Sequence, residues 1–366
     1  MEIFAYMHGH DHEQVVFCHD RESGLKAIIA IHNTNLGPAL GGTRMWPYAS
    51  EEEALIDVLR LSRGMTYKAA MAGLALGGGK AVIIGNPAVD KTEALLRAYG
   101  RFIETLHGRY ITAEDVGTGQ PDMDIIRRET AHVVGVSPER GGSGDPSPYT
   151  ARGVLQGMRA AAGYVFGSEE LAGRRVTVQG LGQVGRHLCG LLAREGAVLT
   201  VSDINPRMVE QVVKEYGASA VAPDEVYDLP GDIFAPCALG AVVNDDTVRR
   251  LRYPLIAGSA NNVLARDEHG DILHERGILY VPDYVINAGG LINVAEELYG
   301  YDQQRALEKV DRIYEHVRQV LFLARKENIP PCRAADRLAG ERVFRAQAAR
   351  PGFAAEEKAP EVRRVG

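Results

Sequence analysis

The sequence has 366 residues, of which 45% are hydrophobic and 24% charged, a composition typical of a globular enzyme with two domains. Its formal net charge of -7 provides no basic surface for phosphates, which argues against nucleic acid as the main partner. With no apolar run near the roughly 20 residues of a membrane span, no signal peptide and no CxxC pair, we expect a cytoplasmic protein with reduced thiols.

Three histidines alternate with other residues near the N-terminus. In an extended strand His8, His10 and His12 would share one face and could bind a metal. The intervening Gly9 and Asp11 favour a solvated loop instead, and the chemistry inferred below needs no metal. We therefore expect no metal site, and the sequence does not say whether this cluster has a role.

The first third of the chain mixes short strands with helices. Apolar runs and alternations predict strands, whereas apolar residues at helical spacing predict helices. The predicted strands cover 14–18, 26–32, 81–84 and 110–112, and the predicted helices cover 51–66, 91–107 and 122–128. This mixture predicts an N-terminal mixed α/β domain over residues 1–136.

A regular alternation of helices and strands follows a segment rich in glycine, proline and serine, residues 137–148. That segment predicts the crossing into a second domain, residues 137–330. The predicted helices there are 151–164 and 183–194, and the predicted strands are 175–179, 198–202, 233–235, 255–257 and 279–281. Such alternation predicts a doubly wound parallel sheet. Two long helices, 287–299 and 303–326, would lead back to the first domain, which residues 331–366 would join.

A glycine fingerprint between a predicted strand and a predicted helix indicates a dinucleotide site. Its first glycine permits a tight turn, the second lets the pyrophosphate approach, and the third packs helix against strand. The start of the helix offers free N–H groups to phosphate. The residues of this expected Rossmann-type site are Gly180, Leu181, Gly182, Gln183, Val184, Gly185 and Arg186. Asp203 follows the next strand and would bind the adenosine ribose hydroxyls and repel a 2′-phosphate, which favours NAD over NADP.

Two lysines in one short stretch suggest which kind of substrate would give its hydride to the bound dinucleotide. A cation such as Lys68 can hold a carboxylate, whereas a lysine has a pKa of about 10.4 and is a poor base until its surroundings change. The Lys68 ammonium and desolvation would lower the pKa of Lys80, which we therefore assign as general acid/base. Asp115 would be the second proton carrier and would stabilise a substrate ammonium. Asn261 and Asn262 are uncharged hydrogen-bonding residues suited to the nicotinamide and the substrate carboxylate.

Five further segments occur in a fixed order: GPALGGTRM (37–45), MTYKAAMAGLALGGGKAVI (65–83), TAEDVGT (112–118), GSANNVL (258–264) and VINAGGLINVAEEL (285–298). With the fingerprint, they resemble the glutamate/leucine/phenylalanine/valine dehydrogenase family over essentially the whole chain. The resemblance implies two domains flanking a cleft, with the cofactor domain second. It also implies a homo-oligomer, an octamer, and places Gly41, Gly42 and Met65 at the substrate and Thr150 and Asn287 near the nicotinamide.

The resemblance implies reversible, NAD-dependent oxidative deamination of an L-amino acid to a 2-oxo acid and ammonia. A hydride would leave Cα for the nicotinamide, and water activated by Lys80 would attack the resulting iminium. The carbinolamine would then collapse to products while Asp115 shuttles protons. A non-catalytic NAD-binding regulator is the alternative from another class, although Lys68, Lys80 and Asp115 are all present.

The side-chain pocket decides which amino acid reacts. In the glutamate members of the family, a lysine and a serine receive the distal carboxylate, and Leu40 and Val294 stand at the matching positions here. Burying a carboxylate against them without a partner would cost several kcal/mol or more. Ala113 and Leu291 would complete an aliphatic wall, which favours branched-chain substrates, with L-leucine preferred. Phenylalanine or valine as the best substrate stays an alternative, since one methylene contributes only about 1–3 kcal/mol of discrimination.

Overall fold

The computed structural model describes residues 2–238 and 240–349 of the chain, which fold around two β-sheets. The first sheet has five strands in the order β1-β2-β4-β3-β5. Its strands are β1 (Gln14–Asp20), β2 (Leu25–Asn33), β3 (Ala39–Trp46), β4 (Gly77–Ile84) and β5 (Tyr110–Glu114). The accompanying helices are α1 (Ile3–His10), α2 (Glu51–Met71), α3 (Glu93–Glu104) and α4 (Gln120–Ile126). β2 pairs antiparallel with β1 and β4, whereas β3 pairs parallel with β4 and β5, so this sheet is mixed.

Helices cover both faces of this sheet because its central strands are apolar on both sides. In β2, Ile29 and Ile31 pack with α3 in one cluster, whereas Ile28 and Ala30 pack with α2 in another. This follows the two-residue period of a strand. Helix α2 is capped by Ser50, whose Oγ accepts a hydrogen bond from the third helical N–H at 3.1 Å.

The second sheet has six parallel strands in the order β8-β7-β6-β9-β10-β11. Its strands are β6 (Arg175–Gln179), β7 (Val198–Ser202), β8 (Ser219–Ala220), β9 (Ile233–Pro236), β10 (Leu255–Ile256) and β11 (Leu279–Tyr280). Its helices are α5 (Ser147–Phe166), α6 (Gln183–Arg194), α7 (Pro206–Tyr216), α8 (Thr247–Arg250) and α9 (Glu268–Glu275). The order reverses between β6 and β9, which creates the crevice where dinucleotides bind in such sheets. The predicted two-domain α/β fold with a Rossmann-type second domain is therefore confirmed.

The C-terminal helices connect the two sheets. They are α10 (Asp283–Ile286), α11 (Gly289–Ala295), α12 (Gln303–Asp311), α13 (Ile313–Glu327) and α14 (Pro331–Ala348). α14 packs against both α13 and α2, and the Arg342 guanidinium donates to the Ala70 and Met71 carbonyl oxygens at 2.8 and 3.1 Å. The proposed boundaries at 136/137 and 330/331 stay predictions, and part of the predicted joining segment, 350–366, lies outside the described residues. No helix in the described part of the chain is long and apolar enough to cross a membrane.

Four local predictions were wrong. The helix expected over 287–299 is instead α11 flanked by α10 and a 3-10 turn, Glu296–Tyr299, and the helix expected over 303–326 divides at Arg312. β3 was not foreseen, because its two central glycines disfavour strands. The solvated loop expected around the N-terminal histidines is α1 followed by a buried His12.

Candidate active site

Glycines bring β3, β4 and α2 into close contact beneath the site. A Cβ at Gly41 would lie 1.7 Å from the Gly79 carbonyl oxygen, and one at Gly78 would lie 2.1 Å from the Thr66 nitrogen. Glycine is therefore the one residue that fits at both positions. Lys80 follows directly within β4 and is only 5% exposed, so a rigid strand holds it at the base of the cleft.

Lys80 and Asp115 form an ion pair. The Lys80 Nζ lies 3.0 Å from Asp115 Oδ1, and the Arg44 Nε donates to Asp115 Oδ2 at 2.9 Å. Gly42 makes room for this arrangement, because a Cβ there would lie 3.0 Å from the Asp115 Cβ. Each oxygen of the Asp115 carboxylate thus faces its own cation.

The surroundings of the pair favour proton transfer. Burial lowers the pKa of Lys80, the Asp115 carboxylate opposes that shift, and the Arg44 guanidinium adds to it. Burial would raise the pKa of Asp115, but Lys80 and Arg44 outweigh burial and hold it below the usual range. The sequence hypothesis expected desolvation and the Lys68 ammonium to lower the pKa of Lys80, and in the structure burial has the largest effect and Arg44 is the cation with the largest effect. A carboxylate thus stands ready beside an amine that loses its proton more easily than a free lysine.

Lys68 lies in the last turn of α2, half-buried. Its ammonium group forms no ion pair or hydrogen bond with any residue that the structure describes. Burial lowers the pKa of Lys68 to about 8, with Lys80 adding to the shift and Asp283 opposing it. Lys68 therefore offers a cation without a close counter-charge, which suits a ligand carboxylate.

One buried apolar cluster unites residues from both domains. Leu40 of β3 and Ala113 of β5 share one buried cluster with Leu291 and Val294 of α11, and Met65 of α2 packs against it. The sequence therefore identified residues that do meet, although they lie far apart along the chain. The cluster also contains residues that sequence reasoning missed, which are Ala69, Leu76, Ile111, Val134, Ala295 and Leu298.

The fingerprint turn has the shape that a dinucleotide requires. Gly180 has a φ of +98°, and a Cβ there would lie 2.6 Å from the Ala238 nitrogen. A Cβ on Gly185 would lie 2.0 Å from the Gly180 carbonyl oxygen, whereas nothing described lies within 4 Å of one on Gly182. Val184 packs against the core beneath the turn. The open space above Gly182 fits a pyrophosphate at the start of α6.

Polar groups beside the turn also fit a nicotinamide dinucleotide. The Asp203 carboxylate accepts hydrogen bonds from the backbone N–H groups of Leu181 at 2.6 Å and Asn205 at 2.7 Å, which fixes it at the end of β7. The Arg186 guanidinium donates to the Gln183 Oε1 at 2.6 Å, and its buried Nε has no partner among the described residues. The turn is therefore accompanied by a fixed carboxylate and by a donor without a partner among the described residues.

Three asparagines lie together near the cleft. The Asn287 Nδ2 donates to Asn261 Oδ1 at 2.8 Å and to the Ser259 carbonyl oxygen at 3.1 Å. The Asn287 Oδ1 is buried without a partner among the described residues, so it is available to a ligand amide. Asn262 adopts a left-handed backbone with φ of +52°. The Thr150 hydroxyl donates to a carbonyl of the preceding turn at 3.1 Å.

Three charged residues of the site were not identified from the sequence. Arg44 bridges Asp115 and Asp57, with 2.9 Å to Asp57 Oδ2. Asp283 accepts a hydrogen bond from the Val263 N–H at 3.0 Å, next to the asparagine pair. Burial raises the pKa of Asp283, and Lys68 opposes that shift. The arginine in the Gly-Gly-Thr-Arg segment was a usable signal, whereas nothing local distinguishes Asp57 or Asp283.

The N-terminal histidines pack behind the site rather than facing it. His12 bonds through Nε2 to the Leu59 carbonyl oxygen at 2.9 Å, and His32 Nδ1 bonds to the Thr66 hydroxyl at 2.8 Å. Burial lowers the pKa of His12 and brings that of His32 to about 3. Both imidazoles are therefore neutral core residues at neutral pH. Within the described residues, no three ligand side chains stand where they could hold a metal ion.

Comparisons with known proteins agree with this geometry. Residues 12–132 match the family model described as "Glu/Leu/Phe/Val dehydrogenase, dimerisation domain". Residues 141–212 and 205–351 match the model described as "Glutamate/Leucine/Phenylalanine/Valine dehydrogenase". The chain is 61% identical to the leucine dehydrogenase of Geobacillus stearothermophilus over 96% of each protein, and 60% identical to that of Bacillus cereus over 94% of each. The crystal structure of L-tryptophan dehydrogenase from Nostoc punctiforme superposes with a TM-score of 0.84 at 47% identity, covering 94% of this chain and 100% of that one.

Proposed function

The chain belongs to the Glu/Leu/Phe/Val dehydrogenase family, and on that premise we propose that it is an NAD-dependent amino acid dehydrogenase that deaminates branched-chain L-amino acids, L-leucine best. The products are the 2-oxo acid and ammonia, and the reaction is reversible. The observation that carries this proposal is the Lys80–Asp115 ion pair together with Lys68, which has no ion pair with any described residue, and the buried aliphatic cluster around Leu40 and Val294. The leucine dehydrogenases that match nearly the whole chain support the substrate.

The substrate is held by a charged group at its carboxylate and by an apolar surface at its side chain. Lys68 holds the carboxylate, since its ammonium has no close protein partner to give up, and Asn262 adds a hydrogen bond. The Asp115 carboxylate faces the substrate nitrogen and stabilises its positive charge. Leu40 and Val294 then receive the side chain, whose burial contributes about 25 cal/mol for each Å² of apolar surface. A glutamate side chain would leave its carboxylate unpaired in that pocket.

Proton transfer falls to the ion pair at the base of the cleft. When bound, the cofactor supplies the hydride acceptor for the Cα–H bond. Lys80 Nζ takes a proton from the water that adds to the imino carbon, which its lowered pKa makes possible near working pH. Asp115, 3.0 Å away, takes a proton from the substrate ammonium before hydride transfer and returns it to the carbinolamine nitrogen, and the hydroxyl proton passes to solvent water as the C–N bond breaks. The neutral 2-oxo carbonyl and ammonia result.

NAD is the proposed cofactor because of Asp203. Its carboxylate lies at the end of β7, held against the fingerprint turn by the Leu181 N–H. A carboxylate there accepts hydrogen bonds from ribose hydroxyls and repels the 2′-phosphate of NADP. Arg186 and the start of α6 provide donors for the pyrophosphate, and Thr150, Asn261 and Asn287 surround the nicotinamide.

Assembly is the part of the proposal that rests mostly on resemblance. We propose a cytoplasmic homo-oligomer, an octamer. The description of the model matching residues 12–132 as a dimerisation domain supports association. So do two apolar side chains of the first domain, since Phe17 on the edge strand β1 is 59% exposed and Phe4 on α1 is 86% exposed. Light scattering of the purified chain measures the native mass, and a monomer would contradict this part.

A substrate panel tests the function. Initial rates with leucine, isoleucine, valine, phenylalanine and glutamate are measured at saturating NAD. We expect kcat/KM to be highest for leucine. For the other branched-chain substrates the activation free energy should differ from that of leucine by no more than about 1–3 kcal/mol, and for glutamate kcat/KM should be at least about 100-fold lower. A higher value for phenylalanine or valine would replace the substrate assignment. NAD binding without turnover of any amino acid would favour a non-catalytic regulator.

A further inference from the structure

A chain of ion pairs leads outward from the Lys80–Asp115 pair to the surface of the first domain. The Arg44 Nε donates to Asp115 Oδ2 and its Nη1 donates to Asp57 Oδ2, each at 2.9 Å. The Tyr48 hydroxyl donates to the same Asp57 oxygen at 2.7 Å. These contacts join three separate elements, since Arg44 lies on β3, Asp57 on α2, and Asp115 directly after β5.

We propose that Arg44 is a positioning residue for proton transfer: anchored by Asp57, it fixes the Asp115 carboxylate and favours the neutral amine of Lys80. The proposal rests on the dehydrogenase function proposed above and deepens it. Arg44 acts through Asp115 and needs no contact with the substrate.

The geometry requires a guanidinium at this position. The Arg44 side chain is 23% exposed and that of Asp57 is 16% exposed, so neither is free to move as surface side chains are. The planar guanidinium presents Nε and Nη1 to two carboxylates at once, which a single ammonium group cannot do with the same fixed orientation. Without this second contact, Asp115 would be held by Lys80 alone and could rotate about its χ angles.

The positive charge of Arg44 favours proton transfer as well, through its effect on two pKa values. Arg44 lowers the pKa of Lys80 by repulsion and lowers the pKa of Asp115 by attraction. If Arg44 were neutral, Lys80 would lose a repelling cation and would also hold Asp115 more completely. Both changes would raise the pKa of Lys80 and deplete its basic form at a given pH. The charged groups that act on this centre include Lys68 and Asp57 of α2, Arg44 of β3, Glu114 of β5 and the adjoining Asp115, and Asp283 of α10 through Lys68.

Two substitutions separate the geometric effect from the charge effect. In Arg44→Met, we expect the acid limb of the kcat/KM profile for oxidative deamination to move up by about one pH unit, as loss of a nearby cation predicts. In Arg44→Lys, the cation is kept, so the limb should stay within about 0.3 unit of wild type. Because a lysine cannot bridge Asp115 and Asp57, kcat should nevertheless fall about 10- to 100-fold, as misplacement of a reacting group predicts.

Arg60→Gln is the matched control. Arg60 also pairs with Asp57, at 3.1 Å, but is 53% exposed and does not touch Asp115. Its loss removes the same charge and should leave both the pH profile and kcat unchanged. Thermal melting and NAD titration check that each variant folds, and if Arg44→Met does not fold, Arg44→Lys decides alone.

The outcomes are distinct from those of the substrate panel. Every variant is assayed with whichever amino acid the wild type oxidises fastest, so a wrong substrate assignment leaves this test intact. A wild-type profile and kcat in Arg44→Lys would overturn the proposal, as would an equal shift in Arg60→Gln. A wild type inactive on every amino acid would overturn the proposed function and this inference together.

Discussion

Lys68 and Lys80 show how position gives one residue type two different chemical roles. Lys80 lies on a strand, nearly buried and paired with Asp115, so it can exchange a proton with a fixed neighbour. Lys68 lies at the end of α2 and forms no ion pair with any residue that the structure describes, so it can receive an anion. Burial lowers the pKa of both lysines. A substrate carboxylate would raise the pKa of Lys68 again, whereas the protein itself already provides the counter-charge of Lys80.

Asp203 carries the cofactor preference at the residue scale. In Asp203→Ala, the KM for NAD should rise about tenfold or more, because charge-assisted hydrogen bonds to the ribose contribute about 1.5–3 kcal/mol. NADP should become comparatively better, since the repelling charge is gone. Glu210→Gln, which removes an equal charge from the exposed face of α7, serves as control. An unchanged ratio of kcat/KM for NAD and NADP would remove Asp203 from the recognition of the cofactor.

At the scale of elements, the sequence predicted best where local pattern and tertiary structure agree. The bounds of β6, α6 and β7 match the prediction, because glycines and apolar runs mark their ends. β3 was missed since Gly41 and Gly42 fit a strand only through the close approach of its neighbours. The break after α10 falls at Asn287, whose side-chain hydrogen bonds go to Ser259 and Asn261, more than 25 residues away along the chain.

In the candidate site, too, some residues were recognised from the sequence and others were not. Its motif residues were recognised because each motif is long, and the structure brings the pocket residues into one cluster. Arg44 and Asp57 were missed because their significance lies in an ion-pair chain across β3, α2 and the end of β5. Val134 was missed for a similar reason, since it is one apolar residue among many until the fold places it in the pocket.

A single charged substitution in the pocket formed by β3, β5 and α11 should change its substrate preference. In Leu40→Lys, kcat/KM for leucine should fall at least about 100-fold, because the new ammonium is buried without a partner. Glutamate should gain activity, since its distal carboxylate would pair with that ammonium. Leu40→Met keeps the volume and the apolar character and should retain leucine oxidation. If glutamate gains nothing and leucine loses nothing, Leu40 does not line the substrate side-chain pocket.

At the scale of the whole molecule, the site exists only where the two domains meet. Lys68, Lys80 and Asp115 belong to the first domain, whereas the cofactor turn and α11 belong to the second. The contacts that join them include those of α14, which packs against both α2 and α13, and those of the Glu297 carboxylate. The latter accepts hydrogen bonds from the Gly135 N–H at 2.9 Å and the Ser143 N–H at 2.8 Å. The proposal therefore assigns cofactor binding and proton transfer to different domains, and the two can be separated experimentally.

Lys80→Ala, assayed for turnover and for NAD affinity on the same preparation, tests this division of roles most directly. General acid/base catalysis predicts that kcat falls about 100- to 10,000-fold. NAD should bind as tightly as in the wild type, because the fingerprint domain is untouched. Lys26→Ala, at a 59% exposed lysine of the same domain, should change neither quantity. Turnover at the wild-type rate in Lys80→Ala would contradict the account.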